Sequence, residues 1–279
     1  MDPLRQAARQ IMALALEEDL GQGDLTSQAV IPAQARFQGV MTARQDLVVA
    51  GLPLALEVFT TLAPQARVEA LAAEGQVAPA GTVLARIGGP ARELLSAERT
   101  ALNLLQHLSG IATLTRAYVQ RLAGTHAVLL DTRKTIPGLR LLAKYATRLG
   151  GAQNHRLRLD DGVLIKDNHL AVCGSVSEAV ARARAAGLTN IEVECDTLAQ
   201  VAEAVAARVE RVLLDNMDPA TLARAVALVA GRAQTEASGG VNLETIAAIA
   251  QSGVDFISVG RITQSAPAVD IGLDWTPQP

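Results

Sequence analysis

The chain has 279 residues, enough for one large or two moderate domains with a substantial buried core. Apolar residues make up 49% and charged residues 19%, which excludes a disordered polyelectrolyte or a low-complexity scaffold. A net charge of -3 and only 2% aromatics argue against a basic nucleic-acid surface or a base-stacking platform, so any anion site must be locally focused.

The N-terminal segment places Leu4, Ala8, Ile11 and Ala15 at helical spacing and predicts an amphipathic helix ending near Gly21. From about Ala35 to Gly89, short runs such as GVMTA, DLVVAG, VEALA and TVLARI alternate with Gly and Pro, predicting strands and turns around one helix near Leu54 to Leu62. This reads as a small α+β sandwich. A long helix follows from Glu93 to Leu122, with an apolar stripe through Leu94, Ala101, Leu105, Leu108, Ala112 and Val119, and with Gly110 as a place to bend or divide it. Beyond it, AVLLD, VLIKD, IEVEC, RVLLD, AQTEA and DFISV are strand-like runs, most of them separated by Ala-rich helical segments.

Glu194, Asp215, the Ser238-Gly239-Gly240 turn and Gly260 fall at or just after successive strand ends, at intervals of 21, 23 and 22 residues, about one βα unit each. Asp131 and Lys166 fall at comparable places, so one C-terminal rim collects them in a (β/α) barrel. The repeating segment spans about 150 residues, short for the roughly 250 of a full barrel, so an incomplete barrel is favoured over an open doubly wound sheet. The expected division is a sandwich domain with the long helix over 1–110, a barrel over 111–265, and a tail over 266–279 that packs back on the first domain.

Cys173 and Cys195 cannot build a disulfide framework, and no CxxC or Cys/His ligand spacing is present, so both are read as reduced. The opening lacks a signal-peptide pattern, and no later span is apolar enough to cross a bilayer. A cytoplasmic protein with no membrane partner is expected. The chain carries 22 Arg and only three Lys, at 134, 144 and 166, so each Lys raises the question of whether an ammonium is required. For Lys144, expected on a helix surface, compositional drift suffices.

DTRKTIPGLR places Arg133, a planar fork suited to a carboxylate, beside Lys134, a point charge suited to phosphate; alone, such a pair is as readily a solvated loop. In GGAQNHRLRLDDGVLIKDNH, His155 and Arg156 precede a strand ending in Lys166, so three potential cations can converge. Lys166 reads as an anion clamp or a Schiff-base amine, against the plain alternative of a lysine snorkelling to solvent. Glu194 and Asp215 can bind ribose hydroxyls, hold Mg²⁺ directly or through water, or face a developing positive charge; pairing to an Arg is the structural alternative. The turns in EASGGVNLET and SVGRITQSA supply backbone N–H groups at two consecutive helix starts, the phosphate cup of many barrels. A ligand with phosphate at one end, a hydroxylated ring in the middle and further negative charge elsewhere fits this rim, and phosphoribosyl pyrophosphate is one such ligand.

DTRKTIPGLR, GGAQNHRLRLDDGVLIKDNH, EVEC, LLDNM, ASGGVNLETI and GVDFISVG resemble quinolinate phosphoribosyltransferase, the decarboxylating nicotinate-nucleotide pyrophosphorylase, as do the N-terminal EEDLGQGDLTS and ERTALNLLQHLSGIAT. The resemblance runs from about Glu17 to Ala266 and departs at Ile136, where the family pattern has Thr. It implies a sandwich followed by an incomplete α/β barrel, assembled as a homodimer or higher multiple. It further implies transfer of ribose 5-phosphate from phosphoribosyl pyrophosphate to quinolinate, with Mg²⁺, giving nicotinate mononucleotide, pyrophosphate and CO₂ for NAD biosynthesis. Residue by residue, the resemblance puts Arg133, His155, Arg156 and Lys166 around quinolinate, joined by Arg99 from the other subunit. It puts Lys134 on the pyrophosphate, Glu194 and Asp215 on the ribose side, and Ser238, Gly239 and Gly260 in the 5-phosphate cup. Three competitors remain: a paralogue found beside molybdate-transport genes that shares DTRK, a Schiff-base aldolase using Lys166, and a noncatalytic phosphate-binding protein. No proton donor for the decarboxylation is assigned.

Overall fold

The computed structural model describes residues 2–277. In chain order the elements are α1 (Pro3–Leu20), α2 (Leu25–Val30), β1 (Arg36–Ala43), β2 (Leu47–Val48), α3 (Leu52–Leu62), β3 (Arg67–Ala70), β4 (Val77–Ala78), β5 (Val83–Pro90) and α4 (Ala91–Gln120). They continue with β6 (Val128–Leu130), α5 (Arg140–Gly150), β7 (Val163–Ile165), α6 (Asp167–Cys173), α7 (Val176–Ala185), β8 (Ile191–Cys195) and α8 (Leu198–Ala206). The last are β9 (Arg211–Asp215), α9 (Pro219–Val229), β10 (Gln234–Ser238), α10 (Ile246–Gln251), β11 (Phe256–Ser258), α11 (Arg261–Gln264) and β12 (Ile271–Pro277). The chain divides into two compact units: 1–116 with 135–151 and 265–279, and 117–134 with 152–264.

The first unit holds a four-stranded sheet in the order β12-β1-β5-β3 and the small β2-β4 pair. Strands β1 and β5 pair antiparallel, as do β1 and β12 from Phe37 opposite Pro277 to Ala43 opposite Ile271. Around these strands Met41, Phe59, Leu84, Ile87, Leu94 and Leu105 form one apolar core. Asp2 starts α1 by accepting from the Leu4 N–H at 3.0 Å, with Pro3 in the first turn, where its missing N–H is not needed.

In α4 the apolar stripe is buried at Leu94, Ala101, Leu105, Leu108 and Ala112, whereas Val119 is only half-buried and Tyr118 takes the inward place in the last turn. Gly110 does not divide this helix, which runs unbroken from Ala91 to Gln120. A Cβ there would lie 2.1 Å from the Pro267 carbonyl oxygen, so the glycine permits close approach of the chain that leads into β12. Lys144 also departs from expectation: it is 2% exposed rather than on a helix surface. Helix α5 buries Ala143, Ala146, Thr147 and Gly150, and Lys144 precedes Thr147 by three residues, on the flank of that stripe.

The second unit is a six-stranded parallel sheet in the order β6-β11-β10-β9-β8-β7, with β6 and β7 as its two edges, an incomplete barrel. Every residue of β8, IEVEC, is buried, as a strand covered on both faces requires. The outer helices begin at side-chain caps: Ser175, Thr197 and Asp218 accept from the N–H groups of Glu178, Gln200 and Thr221, each cap contributing about 1 kcal/mol. No described helix is long and apolar enough to cross a membrane.

Candidate active site

Strand residues alternate between the two faces of a sheet, so positions two apart share one face. On the inner face lie Leu164 and Lys166 from β7 and its end, Glu194 from β8, Leu213 and Asp215 from β9, Glu236 and Ser238 from β10, and Ser258 and Gly260 from β11 and its end. Together with Arg133, Lys134, His155 and Arg156 they line one cavity of about 440 Å³ in the second unit. Ten of the eleven residues singled out in the sequence therefore meet at one site. Arg99, the exception, is an exposed residue of α4 in the first unit. Its neighbour Glu98 accepts from the Trp275 indole N–H instead of pairing with it. Ile136 is 40% exposed and does not line the cavity.

The cationic wall is built from the loops after β6 and before β7. Asp131, fully buried, lies behind the wall: its Oδ1 accepts from the His155 N–H at 2.9 Å and its Oδ2 from the Asn154 amide at 2.6 Å. Arg156 donates through Nη1 to the Gly162 carbonyl at 2.9 Å. Its guanidinium pKa is lowered, first by burial and then by the like charge of Arg133, with Glu192 and Asp161 opposing. Lys134 passes over Gly260, where a Cβ would come within 2.9 Å of Lys134 Cδ. The Thr263 hydroxyl holds the Lys134 carbonyl at 2.7 Å.

On the opposite side, the Lys166 ammonium pairs with the Glu194 carboxylate, an arrangement suited to a charged clamp more than to a free amine nucleophile. Asp215 is raised above its ordinary pKa by burial, then by the charges of Glu194 and Asp196, against Lys166 and Lys134. This crowding of oxygen donors fits a hard divalent cation.

Of the two helix starts expected behind the glycine turns, only one follows its turn directly. After β11, α11 begins directly behind Gly260. After β10, Gly239 and Gly240 adopt φ of +89° and +62°, but α10 begins only at Ile246. The Glu244 and Thr245 amides before it are taken by Asn242 Oδ1, both at 2.9 Å. The part of that loop that lines the cavity runs from Ser238 through the glycine turn to Asn242.

Reasoning from motifs missed Glu192 and Glu236. His155 Nε2 lies 3.2 Å from Glu192 Oε2 and 3.6 Å from Glu236 Oε2, and Arg211 Nη1 is 3.3 Å from Glu236 Oε2. Period-2 alternation was the available signal, because it puts Glu192 on the face of Glu194 and Glu236 on that of Ser238. These three groups keep their ligating atoms within 4.8 Å of one another, a spacing compatible with a metal. The ring, however, accepts the Arg156 N–H at Nδ1, 2.7 Å away, so Nε2 keeps its hydrogen and offers the carboxylates a donor rather than a metal a lone pair. Burial alone would lower the His155 pKa, but the hydrogen bond to Glu192 and the charges of Glu236 and Glu192 outweigh it and raise it. The Lys and Arg side chains that line the cavity are Arg133, Lys134, Arg156, Lys166 and Arg261.

Comparison with known proteins agrees with this geometry. The family model described as quinolinate phosphoribosyl transferase, C-terminal domain, matches residues 111–274, and that of the N-terminal domain matches residues 24–109. The chain is 46% identical over 263 residues to the probable nicotinate-nucleotide pyrophosphorylase (carboxylating) of Synechocystis sp., covering 92% of this chain and 89% of the relative. It is 46% identical over 275 residues to nicotinate-nucleotide pyrophosphorylase (carboxylating) of Mycobacterium leprae, covering 96% and 97%. The crystal structure of NadC from Streptococcus pyogenes superimposes with a TM-score of 0.94 at 37% identity, covering 100% of this chain and 99% of that one. The chain belongs to the quinolinate phosphoribosyltransferase family.

Proposed function

We propose that this chain transfers ribose 5-phosphate from phosphoribosyl pyrophosphate to the ring nitrogen of quinolinate and releases the 2-carboxylate as CO₂, yielding nicotinate mononucleotide and pyrophosphate for NAD biosynthesis. The observation that carries this reading is that Arg133 and Arg156 line one cavity as a part-buried pair of guanidiniums, where burial first and then the like charge of Arg133 lower the Arg156 pKa. A dianionic pyridine dicarboxylate between them removes that repulsion and supplies planar carboxylates for two planar forks.

Around this centre the reading assigns Lys166 to quinolinate as a clamp, His155 to the shape of the same wall, Lys134 to the pyrophosphate, and Ser238, Gly239 and Gly260 to the 5-phosphate. Glu194 and Asp215 face the ribose, where positive charge develops as pyrophosphate departs; carboxylates there and cations at the leaving group complement both ends of that charge separation. The same two carboxylates would hold Mg²⁺, directly or through water, and the ion when bound neutralises pyrophosphate charge. Loss of CO₂ leaves an electron pair at ring carbon 2, stabilised by the adjacent positive nitrogen until a proton takes its place.

The reading also includes a homodimer or higher multiple in which Arg99 reaches the partner's quinolinate pocket. Its setting is the cytoplasm, in keeping with the free thiols Cys173 and Cys195. The direct experiment follows label from the 2-carboxyl of quinolinate. Labelled CO₂ and nicotinate mononucleotide should appear in equal amounts, only with phosphoribosyl pyrophosphate and Mg²⁺ present. Retention of the label in a stable product, or a covalent imine at Lys166 trapped with a carbonyl ligand, contradicts it.

A further inference from the structure

Beneath the cavity lies a charged layer that the roles above do not use. Barrel interiors are ordinarily filled by branched apolar side chains. Here Glu236 is fully buried, Glu192 is buried, and Arg211 lies 4.2 Å over the Phe256 ring with Nη1 on Glu236 and Nη2 on Gln234. Burying such charges costs several kcal/mol per ion before pairing, so this layer adds little to stability compared with apolar filling.

Its geometry converges on one imidazole. The carboxylates of Glu192 and Glu236 both face His155 Nε2, at 3.2 and 3.6 Å, while Nδ1 receives the Arg156 N–H at 2.7 Å. Resting on the quinolinate reading above, we propose that Glu192, the carboxylate nearer to Nε2, is a positioning residue, with Glu236 and Arg211 behind it: it fixes His155 as the Nε2–H ring, and through Nδ1 it holds the Arg156 backbone and so aims that guanidinium at the pyridine carboxylates.

The chain of cause is short. A ring flanked by two carboxylates keeps its hydrogen at Nε2 and leaves Nδ1 as an acceptor. If the hydrogen moves to Nδ1, it confronts the Arg156 N–H, and the 155–156 peptide must turn. Arg156 would then be displaced while Lys134, Ser238 and Gly239 kept their places. The effect therefore falls on one substrate.

The test combines the ring's own signal with a split in kinetics, on the full-length protein. Histidine ¹⁵N spectra resolve the two tautomers, and four histidines are present, so the His155 signals are those lost in His155→Gln. At a pH above the raised pKa of the ring, wild type should show Nε2 protonated and Nδ1 bare. Glu192→Gln keeps the side chain's size but presents an amide; it should lose the Nε2–H tautomer and raise the quinolinate KM roughly tenfold, leaving that for phosphoribosyl pyrophosphate unchanged. Glu192→Asp, which keeps the carboxylate, should retain the tautomer and recover most of the quinolinate affinity. An unchanged tautomer in Glu192→Gln, or KM values for both substrates rising together, overturns the proposal. If the Gln variant does not fold, the wild-type spectrum decides, since a ring protonated at Nδ1 contradicts the geometry outright. The tautomer is read without substrate, so a wild type with the Nε2–H ring and no quinolinate turnover counts against the functional reading and not against the positioning.

Discussion

Lys166 illustrates how much one side chain's partner decides. Its position after VLI in β7 fits both an anion clamp and a Schiff-base amine, and the Glu194 carboxylate against its ammonium favours the clamp. A hydrogen bond to a charged group contributes about 1.5–3 kcal/mol, so Lys166→Ala should weaken quinolinate by roughly ten- to a hundredfold. Lys166→Arg, which keeps the charge with a different fork, should retain part of that binding. Steady-state KM values for quinolinate check this, and equal loss in both variants would show that the position demands more than a cation.

At the scale of strands and turns, much of the architecture was legible because each β run is short, apolar and followed by a polar residue about 22 positions from the next. That spacing is a property of the βα unit, so it located Glu194, Asp215, Ser238 and Gly260 on one rim without any three-dimensional information. Glu192 and Glu236 stayed hidden for a physical reason: a carboxylate in mid-strand is disfavoured unless a buried partner compensates it, and His155 and Arg211 come from elsewhere in the chain. Lys144 was missed in the same way, since burial of a helix flank depends on what packs there. The Ser238-Gly239-Gly240 turn was found, but the distance from it to α10 was not, because Asn242 caps the amides of Glu244 and Thr245 before the helix begins.

That turn carries its own prediction. Gly239 has φ +89°, and a Cβ there would meet Asn216 Oδ1 at 2.1 Å and the Asn216 backbone nitrogen at 2.9 Å. Left-handed backbone alone costs a side-chain-bearing residue about 1–2 kcal/mol. Gly239→Ala should therefore displace the loop and weaken phosphoribosyl pyrophosphate roughly tenfold or more, with quinolinate affinity measured by calorimetry left near wild type. Undiminished affinity for phosphoribosyl pyrophosphate in that variant would remove the loop from the phosphate site.

For the molecule as a whole, a net charge of -3 coexists with a cavity that takes polyanions, which works only because Arg133, Lys134, Arg156 and Lys166 concentrate positive charge at one end of the sheet. Arg99 extends this logic to assembly. It is exposed on α4, and the functional reading above has it reach the quinolinate pocket of a second copy. Unfolding, mixing and refolding Arg99→Ala with Lys166→Ala should restore about a quarter of wild-type activity, because half of randomly paired dimers are mixed and each has one intact site. No recovery on mixing would place Arg99 in its own subunit's site.

The central claim is that the paired guanidiniums select a dicarboxylate. Its most direct test is the ratio of kcat/KM for quinolinate to that for nicotinate, measured with phosphoribosyl pyrophosphate and Mg²⁺ on the same preparation. Nicotinate lacks the 2-carboxylate and leaves one part-buried cation unmatched, a loss of about 1.5–3 kcal/mol, so quinolinate should be favoured by roughly ten- to a hundredfold. Comparable turnover of the two acids would contradict the account.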